Sequence, residues 1–342
     1  MSRRLPVYLL LDASESMVGP PLKSVEEGVK LMLRTLAKNP YALETVHVSV
    51  ISFAAGAQVL TPLTELQDVR LPPLSVRPGT AMGTALRLCR DCMARDVVRT
   101  TPERKGDYRP LVFLLTDGEP TDAWRGPASE LRGMHPRPAV TALGCGDEAD
   151  FACLTEIADA VLSLRDVSPE GMERLFSWVS ASVAVSSRQL DSGEGADPWT
   201  VNLEKAPLME GLRLVKYDDA PRRPARPRVF IHGTCRKTGG KYLVVYRADP
   251  GSDLYFSAGT YPLPDDFYSD GKAAGPQADG SLLRGRASCP YCGNDGMVFC
   301  RVCKTSYCWD PEDESDAYHC TGCGRSFELS SDGSFDVPGS QG

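Results

Sequence analysis

No stretch of this 342-residue chain approaches the run of about 18 apolar residues that a membrane-spanning helix needs, so the sequence predicts a soluble protein. Basic charge is also short: 38 Lys and Arg stand against 45 Asp and Glu, a net charge of −7. Such a balance gives no general attraction to phosphate backbones, and nucleic acid would have to be held by a local patch. The opening MSRRLPVYLLLD places two arginines before a short apolar run, yet that run meets Asp12 and shows no small-residue cleavage site. It reads as a strand, not a secretion signal. Missing as well are a phosphate-cradling G-x-x-x-x-G-K-[ST] loop and any internal repeat at a fixed period.

What is present in the first half is an alternation of strand and helix signals. VYLLL (7–11), VHVSVISF (46–53), LVFLLT (111–116) and AVTALGC (139–145) are short apolar or β-branched runs, the kind expected of parallel strands covered on both faces. AVLSLRD (160–166) is a weaker strand, and AQVLTPL (57–63) an edge strand. Val25, Val29, Met32, Leu33 and Leu36 repeat at helical spacing, with Pro20-Pro21 at the entry and Asn39-Pro40 at the exit, which predicts a helix over 21–38. Further helices are expected from about Met82 to Val98, Ala149 to Ala158 and Pro169 to Gln189. Alternating strands and helices imply an open, doubly wound α/β domain over residues 1–190.

The composition then shifts. SSRQLDSGEGADP (186–198) reads as a linker, and LRLVKY, RVFIHGTC, KYLVVYRA and LYFSAGTY as short strands of a β-rich connector, 191–280. Seven of the twelve cysteines crowd between Cys289 and Cys323, mostly as C-x-x-C pairs, which is metal-ligand spacing in a reducing compartment. They mark a third domain, 281–335, and predict a cytoplasmic zinc protein.

In doubly wound sheets ligands sit at the carboxyl ends of the strands. Asp12, Ser14 and Ser16 lie at such an end, and alternate residues of an extended segment point the same way, so their oxygens can converge. One carboxylate and two hydroxyls suit magnesium or manganese, not zinc. Capping or turn formation would use the same residue types. Two more oxygen-bearing loops weigh against that: Thr80 follows the Pro78-Gly79 turn and precedes a helix, and Asp117 ends the strand LVFLLT. Glu119 and Asp122 read as rim or solvated turn residues, and Thr84 as a second hydroxyl ranked below Thr80 because it falls inside the helix.

The order D-x-S-x-S, then G-T, then T-D-G after an apolar strand resembles the von Willebrand factor A domain with its metal-ion-dependent adhesion site, over about residues 5–188. The resemblance implies Ser14, Ser16 and Thr80 as hydroxyl ligands of magnesium, or manganese or calcium, with Asp12 and Asp117 acting directly or through water. It also implies an open site that a partner's acidic side chain completes.

In the tail, Cys289-x-x-Cys292-Gly and Cys320-x-x-Cys323-Gly form metal-holding turns, and MVFCRV, TSYCWD and RSFEL read as three strands, the layout of a zinc ribbon with those four cysteines as ligands. Cys300, Cys303, Cys308 and His319 suffice for a second zinc. An alternative pairing sets Cys300 and Cys303 with the first pair, and His319 reads equally as a bystander. A module of about 50 residues needs metal to hold itself together, so the zinc is structural. Cys89 and Cys92 are three apart and share a face of the predicted helix, as small core residues do, while Cys145, Cys153 and Cys235 lack partner spacing; all five read as structural residues.

The whole layout resembles the bacterial TerY-type tellurium-resistance proteins, although CTGCG replaces a more aromatic last knuckle, which leaves the zinc pairing open. That resemblance implies a non-catalytic scaffold working with a Ser/Thr kinase and a metal-dependent Ser/Thr phosphatase in stress-response or defence signalling. Two rivals differ in class. A phosphohydrolase would use a second carboxylate two residues after Asp12, where Ser14 stands. A nucleic-acid-binding role would use the ribbon and the arginines of Arg222-Arg223-Pro-Ala-Arg226-Pro-Arg228, whose prolines favour an extended linker.

Overall fold

The computed structural model describes residues 3–145, 149, 151–164, 168–192, 212–215, 228–249, 251–265, 267, 278–285, 288–300, 302, 305–308, 318–320, 323–327 and 336–337. The chain divides into two units, one of residues 1–75 and 80–225 and the other of residues 76–79 and 226–342.

The first unit is built on strands β1 (Leu5–Asp12), β2 (Val46–Phe53), β3 (Ala57–Glu65), β4 (Leu111–Thr116), β5 (Ala139–Cys145), β6 (Ala160–Leu164) and β7 (Leu212–Val215). Helices α1 (Pro20–Ala37), α2 (Pro40–Thr45), α3 (Met82–Asp96), α4 (Arg125–Arg132), α5 (Phe151–Ile157) and α6 (Pro169–Ser192) connect them. The sheet order is β3-β2-β1-β4-β5-β6-β7. The inner strands pair in parallel, while β3 and β7 close the edges antiparallel. Every residue of β1, β4 and β5 is buried, as expected of parallel strands covered on both faces. Each fully buried leucine of β1, such as Leu9 or Leu11, contributes about 1.5–3 kcal/mol of burial free energy.

This order fixes where a ligand belongs. From β1 the chain moves outward to β2 and β3, then crosses back through α3 to β4 on the other side of β1. The reversal opens a crevice between the carboxyl ends of β1 and β4, the switch point at which open α/β sheets bind ligands. Asp12 closes β1, and Leu11 pairs with Leu115, so Asp12 lies beside Thr116 and one residue from Asp117.

Two expectations change here. LRLV is no part of a separate connector: it is β7, the last strand of the first sheet. Nor do the connector and the cysteine-rich tail form separate domains. Strands β8 (Val229–Thr234), β9 (Lys241–Ala248) and β10 (Tyr255–Pro262) are followed by short strands β11 (Ala278–Asp279), β12 (Leu283–Arg284), β13 (Met297–Phe299), β14 (Ser306–Cys308), β15 (Tyr318–His319), β16 (Ser326–Phe327) and β17 (Asp336–Val337). One six-stranded sheet runs β12-β10-β9-β8-β14-β13, because β14 pairs in parallel with β8. The hairpin expected from MVFCRV and TSYCWD is β13 and β14, whereas RSFEL supplies β16, which pairs with β15 instead of joining that hairpin.

Candidate metal centres

At the switch point the structure gathers Asp12, Ser14, Ser16 and Asp117 into one buried network. Asp12 and Ser14 are fully buried, and Ser16 and Asp117 nearly so. The Ser14 amide donates to Asp12 Oδ1 at 2.8 Å, Ser14 Oγ and Ser16 Oγ lie 2.9 Å apart, and Ser16 Oγ donates to Asp117 Oδ1 at 2.5 Å. Thr116 Oγ1 donates to the other oxygen of Asp12. Two carboxylates thus share one buried pocket. Burial, and then the charge of Asp117, push the Asp12 carboxyl up to about 7, partly offset by the hydrogen bonds from Ser14 and Thr116. Beneath the site the Cys145 thiol is held well above its ordinary value by burial and by these carboxylates, so it serves as an apolar wall.

Thr80 is tied to the same loop through its backbone. Its amide donates to Thr121 Oγ1 at 2.9 Å, and the Thr121 amide donates back to the Thr80 carbonyl at 2.9 Å. Its hydroxyl, by contrast, is buried and has no hydrogen-bond partner among the described residues. An orphaned buried hydroxyl costs free energy unless something accepts it. A set of carboxylates and hydroxyls with one spare buried oxygen fits a hard divalent cation.

Asp122 is neither a rim nor a solvated turn residue. Its carboxylate receives the amides of Gly83 and Thr84 at 2.7 and 2.8 Å and the Thr84 hydroxyl at 2.8 Å. Thr84 is therefore engaged with Asp122. Helix α3, whose own N-cap residue Ala81 makes no side-chain cap bond, is capped from this distant loop. Gly83 permits the approach: a β-carbon there would stand 2.4 Å from the Ala123 carbonyl oxygen.

In the second unit the cysteines sort differently from the expected ribbon set of Cys289, Cys292, Cys320 and Cys323. The ligand atoms of Cys235, Cys289, Cys292 and Cys308 lie within 4.8 Å of one another, and those of Cys300, Cys320 and Cys323 form a second such group. The Cys292–Cys308 sulfurs are 3.6 Å apart and the Cys300–Cys323 sulfurs 3.7 Å, close to the edge of about 3.8 Å implied by a tetrahedron of zinc–sulfur bonds of about 2.3 Å. Cys303 lies outside the described residues. His319 stands apart from both groups, with Nδ1 paired to Ser326 Oγ at 2.8 Å. The cause is the β8–β14 pairing, which sets Tyr307 opposite Thr234 and so brings Cys308 beside the turn that begins at Cys235.

Cys235 was hidden because its turn lacks a second cysteine, yet the backbone is the same. Cys235, Cys289, Cys300 and Cys320 donate their amides to the carbonyls of Gly240, Asn294, Thr305 and Arg325 at 2.8–2.9 Å. Gly239, Gly293 and Gly324 donate back to the Cys235, Cys289 and Cys320 carbonyls, with φ of 75°, 75° and 71°, a region that favours glycine. Burial pushes the Cys235 thiol up, but hydrogen bonds from Thr238 and the Lys237 amide outweigh it and bring the group down to about 6. Burial moves Cys308 the other way, up to about 12.

Residues 7–164 match the model of the von Willebrand factor type A domain, and residues 227–342 that of the TerY-C metal binding domain. No curated protein matches the chain. Among solved structures, one of proximal thread matrix protein 1 from the mussel byssus, described as having a zinc occupied MIDAS motif, is 21% identical with a TM-score of 0.41, covering 54% of this chain and 48% of its own. The pilus adhesin SpaC from Lactobacillus rhamnosus GG, in open conformation, is 16% identical with a TM-score of 0.44, covering 54% of this chain and 30% of its own. The conserved hypothetical protein BatB from Bacteroides thetaiotaomicron is 20% identical with a TM-score of 0.37, covering 53% and 99%. The chain thus spans about half, or less, of the first two structures.

Proposed function

We propose that this chain, which joins a von Willebrand factor type A domain to a TerY-C metal binding domain, is a non-catalytic adaptor that docks other proteins through a divalent cation in its first unit. The observation that carries this reading is the buried oxygen network at the switch point, together with the unpartnered Thr80 hydroxyl. Ser14, Ser16 and Thr80 would hold magnesium, with manganese or calcium as substitutes, through hydroxyls, and Asp12 and Asp117 through carboxylates directly or by way of water. Magnesium takes about six oxygens but few carboxylates, so when bound it supplies a positive centre that an incoming acidic side chain can complete. Asp12 is buried, and the Thr116 and Ser14 hydrogen bonds hold its carboxylate in place.

The second unit holds zinc for its own integrity: one ion on Cys235, Cys289, Cys292 and Cys308, and another at the group of Cys300, Cys320 and Cys323. All-thiolate sites leave no open position for chemistry. The partners are a Ser/Thr kinase and a metal-dependent Ser/Thr phosphatase of a bacterial stress-response or defence system, and the compartment is the cytoplasm, where thiols stay free for metal. Among the described residues no helix is long and apolar enough to cross a membrane.

Affinity capture from the native host with magnesium retained tests this. The wild-type chain brings down a kinase or phosphatase, and Asp12→Ala and Ser14→Ala lose it while keeping the wild-type circular dichroism spectrum. Capture by both variants at the wild-type level would overturn the docking role. A shift of DNA that weakens steeply with salt, in place of protein capture, would favour nucleic-acid binding.

A further inference from the structure

The proposed cation site draws on the Thr80 hydroxyl, yet Thr80 belongs neither to the end of β1 and the segment after it nor to the loop after β4, which carry the other oxygens. Something must hold it there. Of the backbone donors at the start of α3, the Ala81 amide donates to the Ala54 carbonyl at 2.6 Å, the Met82 amide to the Thr80 carbonyl at 2.8 Å and the Ala85 amide to the Ala81 carbonyl at 3.1 Å. The Gly83 and Thr84 amides go to Asp122. The Thr80 amide and carbonyl are both taken by Thr121. Every backbone group from Thr80 to Ala85 that opens the helix is thereby fixed, and the Thr80 hydroxyl is the polar atom left over.

We infer that Thr121 and Asp122 form a positioning clamp for the cation site. They fasten the start of α3 to the loop that follows Asp117, so that the hydroxyl of Thr80 and the carboxylate of Asp117 are presented as one unit. This deepens the docking proposal and rests on it. Neither residue would ligate the cation itself. Thr121 spends its hydroxyl and its amide on the Thr80 backbone, and Asp122 spends both oxygens on α3. Outer partners that orient ligating groups commonly change metal affinity by tenfold to a hundredfold when removed. The clamp is spatially local but distant in sequence, since Thr80 and Thr121 are 41 residues apart.

The test compares Thr121→Val, which keeps the shape but removes the oxygen that accepts the Thr80 amide, with Thr121→Ser, which keeps that oxygen. Asp122→Asn, which loses an acceptor at α3, gives a second route should the valine variant fold poorly. Magnesium chloride is titrated into each full-length variant and followed by calorimetry, with thermal unfolding recorded in the absence of added magnesium. The expected result is magnesium binding about tenfold or more weaker for Thr121→Val and for Asp122→Asn, with Thr121→Ser close to wild type. Unchanged magnesium affinity in the valine and asparagine variants, even with a lowered unfolding temperature, would reduce the clamp to a structural cap and overturn the inference. A wild-type chain that takes up no magnesium would instead remove the docking proposal itself, and the clamp's role with it.

Discussion

The two units gather groups able to hold a cation, and they do so with opposite materials. The first sets oxygens on the ends of a fully packed parallel sheet, whose core of Leu10, Val112, Leu114 and their neighbours is apolar and does not include those oxygens. The second has cysteines as part of its core: Cys235, Cys289 and Cys308 pack with Val229, Ile231, Tyr242 and Val244, and Cys300 and Cys320 with Tyr307. A site that decorates a stable frame can be left open for a partner. Where the ligands are themselves the core, the site must be closed, and loss of metal becomes loss of structure.

The sharpest way to break that contrast is to take the zinc away. Structural zinc sites are worth on the order of 10 kcal/mol or more of folding free energy, which exceeds what the short strands β11 to β17 can supply. Chelation of the full chain should open the region after Arg226 to protease while residues of β1, β4 and β5 stay protected against amide exchange. Cys235→Ser should cost about one zinc equivalent by metal analysis, whereas Cys89→Ser, buried in the first core, should cost none. Full zinc in Cys235→Ser would show that the fourth ligand is not this residue.

A smaller effect, of a few kcal/mol, is expected from pH in the first unit. Asp12 sits at about 7 in the fold against 3.8 for the unfolded chain. A carboxyl raised in the folded state favours folding while it is protonated, so its contribution is complete below about pH 4 and is lost as pH rises to about 7. Added magnesium should have the opposite trend, because below 7 it must first displace the proton. The magnesium-induced gain in protection of β1 and β4 should therefore grow from pH 5.5 to 7.5 (about two units across the Asp12 transition). A gain independent of pH would mean that Asp12 is not the titrating ligand.

Much of this contrast was legible in the order of residues. Strands β2, β4 and β5 coincide with the apolar runs VHVSVISF, LVFLLT and AVTALGC, because strands buried on both faces have no polar alternation to blur their ends. The oxygen network followed from strand ends. What stayed hidden depended on contacts between distant segments. Helix α2 begins at Asn39-Pro40, which reads as the end of α1, yet Asn39 Oδ1 caps it by accepting the Tyr41 and Ala42 amides. The clamp of Thr121 and Asp122 has no local signature, since its partners lie 38–41 residues away. The metal pairing in the second unit hinges on the β8–β14 ladder, and short parallel pairings leave no trace in periodicity. The one local sign of Cys235 was Gly239, placed four residues on as Gly293 and Gly324 are after Cys289 and Cys320.

The smallest expected effect probes whether the two thiolate groups are independent. Strand β14 joins them: Tyr307 and Cys308 are neighbours, so their side chains leave the strand on opposite faces. Cys308 belongs to the group of Cys235, while the Tyr307 hydroxyl lies 3.1 Å from the Cys320 sulfur in the other. A hydroxyl that donates to a ligating thiolate withdraws charge from it and fixes its direction, and a hydrogen bond to a charged group is worth about 1.5–3 kcal/mol. Tyr307→Phe keeps the ring in its buried place among Val298, Cys300 and Cys320 and removes only that donor. Zinc should leave the Cys300 group about tenfold faster in this variant, measured by a colorimetric chelator, with the release from the Cys235 group slowed or hastened far less. Equal acceleration of both phases would mean that β14 transmits the loss from one face to the other, and the two groups would then have to be treated as a single cooperative core.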